Sequence, residues 1–114
     1  MVNETQSIES TFSALSDPTR RAVIQTLSNG PATVSQLASP FAMALPSFTQ
    51  HLGVLESAGL IISRREGRKR ICSLNPKALQ DAGDWLTLYR RQWEERFDRL
   101  DSHLAKVKME ESNA

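Results

Sequence analysis

Pro46-Ser47-Phe48-Thr49-Gln50-His51-Leu52-Gly53-Val54-Leu55-Glu56-Ser57-Ala58-Gly59-Leu60 reads as one helix with two unlike faces. Proline at 46 can open it, because the first helical position has no use for an N–H, and Gly59 closes it. Phe48, Leu52, Leu55 and Ala58 fall on one side at helical spacing and form the buried face. The opposite side presents Ser47, Gln50, His51 and Val54. Such a surface carries hydrogen-bonding groups and no charge, an uncommon make-up for a helix face left in water. It is suited to pressing against another molecule.

Upstream, three shorter helices are expected. Ile8, Phe12 and Leu15 mark one face of the first, which ends near Ser16. Asp17-Pro18 starts the second, with the carboxylate capping free amides and proline at a position that needs no donor. Its buried face is Ala22, Val23, Ile24 and Leu27, and Asn29-Gly30-Pro31 stops it. Thr33-Val34-Ser35-Gln36 has capping-box spacing, so a brief third helix should run to about Ala38, buried through Val34 and Leu37. Ser39-Pro40 ends it.

Downstream, Leu60 to Arg65 and Arg68 to Leu74 are rich in β-branched and long side chains, and Glu66-Gly67 between them predicts a two-residue hairpin turn. This ribbon is the basic part of the chain. Between residues 61 and 77, Arg64, Arg65, Arg68, Lys69, Arg70 and Lys77 face Glu66 alone, while the segments on either side are acidic on balance. The overall net charge of +1 hides this concentration. After Asn75-Pro76 a long helix is expected over 77–108. Its apolar positions, Leu79, Ala82, Leu86, Tyr89, Trp93, Phe97, Leu100, Leu104 and Val107, have a mean spacing of about 3.5 residues, the coiled-coil value. A stripe of that length seeks a partner chain. The last residues, MEESNA, are expected to fray.

With 114 residues, 39% of them apolar and 24% charged, the chain suits a single domain over 1–114, with a core over about 12–75 and the long helix beyond it. No apolar run approaches the roughly 20 residues of a membrane span, and MVNETQSIES lacks the basic and apolar regions of a signal peptide. A cytoplasmic protein with no membrane contact is expected. One cysteine, Cys72, makes neither an internal disulfide nor a four-thiolate metal site. Nucleophile–base groupings and paired acids are absent from the pattern, so no enzyme and no cofactor is expected.

These pieces describe a mainly α fold with a small β-hairpin: a winged helix-turn-helix with a long C-terminal dimerisation helix. Three motifs, in order, carry a family resemblance: Leu15-Ser16-Asp17-Pro18-Thr19-Arg20-Arg21, then Gln50-His51-Leu52 through Leu55-Glu56-Ser57-Ala58-Gly59-Leu60, then Arg64-Arg65-Glu66-Gly67-Arg68. They resemble the ArsR family of bacterial and archaeal regulators over about residues 12–75. Asp84-Trp85-Leu86 and Tyr89 to Arg96 resemble a metal-independent branch of it. The resemblance implies a symmetric dimer that represses its own operon until a signal releases it. ArsR-type metal sensors use paired cysteines in the third helix or acid and histidine ligands in the last. Here the first place reads Val34-Ser35-Gln36-Leu37-Ala38, and Asp84 is followed by Leu86 where a histidine is needed. No metal site is expected.

On this fold the second helix of the helix-turn-helix enters the major groove of double-stranded DNA, where Ser47, Thr49, Gln50 and His51 would meet base edges. Gln50 can pair with an adenine edge through both ends of its amide. Affinity is expected from Arg64, Arg65, Arg68, Lys69 and Arg70, which can neutralise phosphates and release counterions, with Arg68 at the tip suited to a narrow minor groove. Phe12, Leu15, Leu86, Tyr89, Trp93, Phe97 and Leu100 are the candidate dimer contacts.

Competing readings exist for several residues. Basic hairpins also guard sheet edges against aggregation, but the position of this one after a helix-turn-helix pattern favours phosphate binding. His51 either contacts a base or packs against a neighbouring element, and Gln50 either reads DNA or is plain helix surface. Arg20 and Arg21 read as structural ion pairs rather than DNA contacts. Cys72 shares strand parity with Leu74 and should face the core; a redox switch would need it accessible. A dimeric adaptor whose wing binds acidic proteins, or a redox- or metal-responsive repressor, would keep the same fold. The pattern leaves room for a small-molecule or protein effector without naming one.

Overall fold

A computed structural model describes residues 4–113. The elements run α1 (Glu4–Ala14), α2 (Pro18–Leu27), β1 (Ala32–Thr33), α3 (Val34–Ala38), α4 (Leu45–Ser57), β2 (Ile61–Glu66), β3 (Lys69–Leu74) and α5 (Pro76–Ser112). They form two compact units, one ending at Ala82 and one beginning at Gly83, so the division falls inside α5.

In the first unit the local chemistry sets the boundaries. The side chain of Asp17 accepts from the amide of Arg20 and caps α2, with Pro18 in the first turn. Thr33 and Gln36 form both arms of a capping box at α3: the Gln36 amide donates to Thr33 Oγ1 at 3.1 Å and the Thr33 amide donates to Gln36 Oε1 at 2.9 Å. α4 ends in a Schellman motif. Gly59 takes φ +75°, its amide donates to the Glu56 carbonyl at 2.9 Å, and the Leu60 amide reaches the Leu55 carbonyl at 2.9 Å. Leu55 and Leu60 are both fully buried, which supplies the apolar contact that accompanies this cap.

The core gathers Val23 and Leu27 from α2, Leu37 from α3, Phe48, Leu52 and Leu55 from α4, then Leu60, Ile61 and Cys72. The helical spacing of Phe48, Leu52 and Leu55 therefore predicted the buried face of α4 correctly. Truncating any of the large aliphatic or aromatic members to alanine removes transfer energy and leaves a cavity, at a cost of about 2–5 kcal/mol. Phe41, in the connection before α4, stacks on Phe48 with ring centroids 5.6 Å apart. Cys72 faces the core, as its strand parity predicts, with Sγ 3.8 Å from Ser63 Oγ.

Three local expectations need correction. The sheet has three strands, not two: β1 pairs antiparallel with β3, placing Ala32 opposite Cys72 and Thr33 opposite Ile71, in the order β1-β3-β2. A two-residue strand is too short to show alternation. The hairpin turn is Gly67-Arg68 and not Glu66-Gly67, because Glu66 pairs with Lys69. Glycine at the first central position accepts the positive φ of +64° without steric cost, whereas Glu66 there would not. The tail does not fray where expected either. α5 extends to Ser112, whose hydroxyl donates to the Lys108 carbonyl, and the Asn113 amide bonds the Met109 carbonyl. Lys108, Met109, Glu110 and Glu111 are all good helix formers, so nothing local stops the ladder. Ala114 lies outside the described residues.

The start of α5 belongs to the first unit: Ala78 and Leu79 pack against the core and Ala82 is buried. The second unit is the rest of that helix. There Leu86, Tyr89, Trp93, Phe97, Leu100 and Leu104 are all exposed, between 44% and 57%. Trp85 lies against Tyr89 and Trp93 against Phe97, with centroids 4.3 and 5.8 Å apart, and the Arg96 guanidinium sits 5.4 Å over the Trp93 ring.

Candidate nucleic-acid interface

The outer face of α4 is built by what its inner face buries. With Phe48, Leu52 and Leu55 pinned in the core, Ser47, Gln50 and Val54 are turned to solvent. Thr49, half-buried, lies toward the wing, and its hydroxyl donates to the Pro46 carbonyl at 3.0 Å. The exposed surface of α4 is thus uncharged, with Ser47 and Gln50 as polar groups beside the exposed Leu45 and Val54.

The wing is the hairpin β2–β3. Strand alternation puts Ile61, Ser63 and Arg65 on the side of Leu74, Cys72 and Arg70, toward α4, while Ile62, Arg64 and Glu66 share the other side with Ser73, Ile71 and Lys69. The five basic residues consequently differ in their freedom. Arg70 Nη2 donates to Glu56 Oε1 on α4, and the same oxygen accepts from Ser63 Oγ. Arg64 lies 3.7 Å from Glu66, both side chains being mostly exposed. Arg65, Arg68 and Lys69 meet no carboxylate among the described residues and stand in solvent.

An open groove joins the two parts. It is lined by Thr33, Ser35 and Gln36 at the start of α3, by Leu45 and Thr49 of α4, and by Arg68, Lys69 and Arg70 of the wing. Hydroxyls on one wall and cations on the other make a surface complementary to a phosphate backbone. Thr33, Ser35 and Gln36 were missed as site candidates. Their capping-box pattern was legible, but their approach to the wing depends on the β1–β3 pairing.

His51 is drawn away from the outer face. Its Nδ1 lies 3.2 Å from Arg20 Nη1 and 3.7 Å from Asp17 Oδ2. Arg20 also donates through Nε to the Ala14 carbonyl at 2.6 Å and through Nη2 to the Ser13 carbonyl at 3.2 Å, and Arg21 donates to the Leu15 carbonyl at 2.9 Å. Both arginines make structural contacts, yet their partners are carbonyls at the end of α1 and not the carboxylates of the expected ion pairs. A cation there also answers the negative pole of that helix. The bond from the Arg20 amide holds the Asp17 carboxyl below the ordinary carboxylate range. Of the apolar candidates in α1, Leu15 packs against the core and Phe12 is half-buried.

A helix-turn-helix domain family matches residues 15–64. The transcriptional repressor SdpR of Bacillus subtilis is 39% identical over 75 residues, which span 66% of this chain and 83% of SdpR. The HTH-type transcriptional regulator Rv2034 of Mycobacterium tuberculosis is 38% identical over 74 residues, 65% of this chain and 69% of that regulator. Among solved structures, the crystal structure of an ArsR family transcriptional regulator is similar with a TM-score of 0.77 at 45% identity, covering 82% of this chain and 97% of the other. The chain belongs to the ArsR family. It is a DNA-binding transcriptional regulator, and the resemblance carried by the Asp17-Pro18, Gln50-His51 and Arg64–Arg68 motifs is correct. Like its ArsR-family relatives it has a winged helix-turn-helix fold, and that fold is one of regulators rather than enzymes.

Among the described residues no three His, Cys, Asp or Glu side chains converge. The third helix has no thiol, and Cys72 is buried. No described helix is long and apolar enough to cross a membrane.

Proposed function

We propose that this regulator is a homodimeric, sequence-specific repressor that acts on double-stranded operator DNA in the cytoplasm without a metal-sensing site. Ser47, Thr49 and Gln50 on α4 read base edges in the major groove. Arg64, Arg65, Arg68 and Lys69 supply the phosphate-neutralising charge, with Arg68 at the turn nearest the minor groove. Arg70, opposite Arg65 near the turn, contributes while braced by Glu56. The observation that carries this reading is the separation of labour along one surface: a neutral hydrogen-bonding helix beside a cationic hairpin, with an open groove between them. A neutral helix discriminates between bases while adding little long-range attraction, and the hairpin adds attraction with little discrimination.

Pairing of two chains through Leu86, Tyr89, Trp93, Phe97 and Leu100, with Phe12 and Leu15 contributing, accounts for the exposed apolar stripe, which water alone does not reward. Two chains related by a twofold axis would present two reading helices to a pseudo-palindromic site.

The experiment is a binding titration of the purified protein against DNA from upstream of its own coding sequence over a range of salt. The expected result is an affinity that falls linearly with salt on logarithmic axes. Failure to bind any such fragment at low salt overturns the reading.

A further inference from the structure

The contact between Arg20 and His51 links elements 31 positions apart and is not used by the DNA-binding surface. A guanidinium has five donors and no acceptor, so His51 Nδ1 must accept the bond. That requires a neutral imidazole with its proton on Nε2. Arg20 thereby holds three groups at once: the Ser13 and Ala14 carbonyls at the end of α1, and an imidazole on α4. Its own amide is fixed by Asp17 at 3.1 Å.

We propose that Arg20 is a positioning residue for the reading helix, acting through the neutral His51 imidazole, so that protonation of that ring releases α4 from the Arg20 bracket that also holds the end of α1, and weakens operator binding. The proposal rests on the DNA-reading role given to α4 above. A protonated ring has no lone pair left for Arg20, and it places a second cation beside the guanidinium. The charged groups facing the ring are Arg20 and Asp17, both at the start of α2. Asp17 Oδ2 lies 3.7 Å from Nδ1, beyond hydrogen-bond reach, and a contact made there would join α4 to the cap of α2 alone, leaving the end of α1 outside the bracket. On the other neighbours of α4, Glu9 of α1 lines the cleft beside Gln50, and Glu56 is paired with Arg70; neither bonds the imidazole. Because His51 lies one residue from Gln50, a small rotation of α4 changes which groups reach the bases.

The test compares operator affinity between about pH 8 and pH 5.5, the range in which imidazoles ordinarily change charge. Wild type is expected to lose about tenfold more affinity across it than H51N, the worth of one hydrogen bond to a charged group, because asparagine keeps an acceptor in place of Nδ1 and does not titrate. R20K should bind about tenfold more weakly at the upper pH with an unchanged salt slope, since an ammonium cannot span two carbonyls and a ring, and the Arg20 guanidinium is turned to those groups and not to the groove beside the wing. An acid response in H51N equal to that of wild type overturns the proposal. So does an Nδ1–H tautomer, read from the ring nitrogen shifts of His51 in the free protein. The tautomer needs no DNA, so a wild type that binds none would overturn the functional reading and still leave this one to be judged.

Discussion

Arg70 on β3 donates to the Glu56 carboxylate on α4, so the turn-proximal part of the wing is tied to the end of the reading helix. Ser63 on β2 shares the same acceptor oxygen. Removing the carboxylate leaves a half-buried guanidinium without its partner. E56A is expected to lower stability by about 2 kcal/mol, and E56Q by about half as much because its amide oxygen still accepts. Urea unfolding at fixed protein concentration measures both.

The tie also divides the wing cations into two kinds. In a two-wing dimer, R68A or K69A should make the slope of log affinity against log salt shallower by about 2, since each wing then neutralises one phosphate fewer. R70A should weaken the fold more than it changes that slope, since much of its charge is already answered by Glu56. Equal slope changes for all three would show that the ion pair does not hold Arg70 back from DNA.

The exposed stripe of α5 makes a prediction about assembly. W93E or F97E should convert a dimer to a monomer at micromolar concentration, because a buried charge at a helix–helix seam has no partner there. E95Q, on a different side of the helix, should leave the dimer intact. Sedimentation equilibrium distinguishes the outcomes, and a wild-type monomer at that concentration would refute the dimer.

Asp17 fixes the acid response of α2. Its carboxyl is held below its ordinary value chiefly by the Arg20 amide bond, so the charged form is favoured in the folded state. The stabilisation is then fully present above the ordinary aspartate pKa of about 3.9 and is lost as pH falls through the lower folded value. D17A should be less stable than wild type at pH 7, with the gap closing in strongly acidic solution. D17N, still a helix cap, should be more stable than D17A and show less of that acid dependence. Thermal melts across the pH series provide the measurement.

Much of the fold could be read from the chain because its strongest signals are local. The Asp17-Pro18 start, the Thr33–Gln36 box, the apolar spacing of α4 and the glycine stop at 59 each act within a few residues. What escaped depends on distant partners or on single-residue register. β1 exists only because β3 lies beside it, and the turn moved by one residue because Glu66 pairs with Lys69. The same holds at the candidate site. The neutral face of α4 and the basic hairpin follow from periodicity and charge, whereas the pairing of Arg70 with Glu56 and the capture of His51 by Arg20 arise from packing between elements.

Thr33 serves two structures at once, as the β1 partner of Ile71 and as the cap of α3. The hairpin is therefore moored on both flanks: through β1 to the helix before α4, and through Gly59-Leu60 to the end of α4 itself. Such a mooring turns the domain into a caliper. The separation between the helix that touches bases and the loop that touches the backbone is set by the protein in advance, and the DNA must supply a groove of matching width.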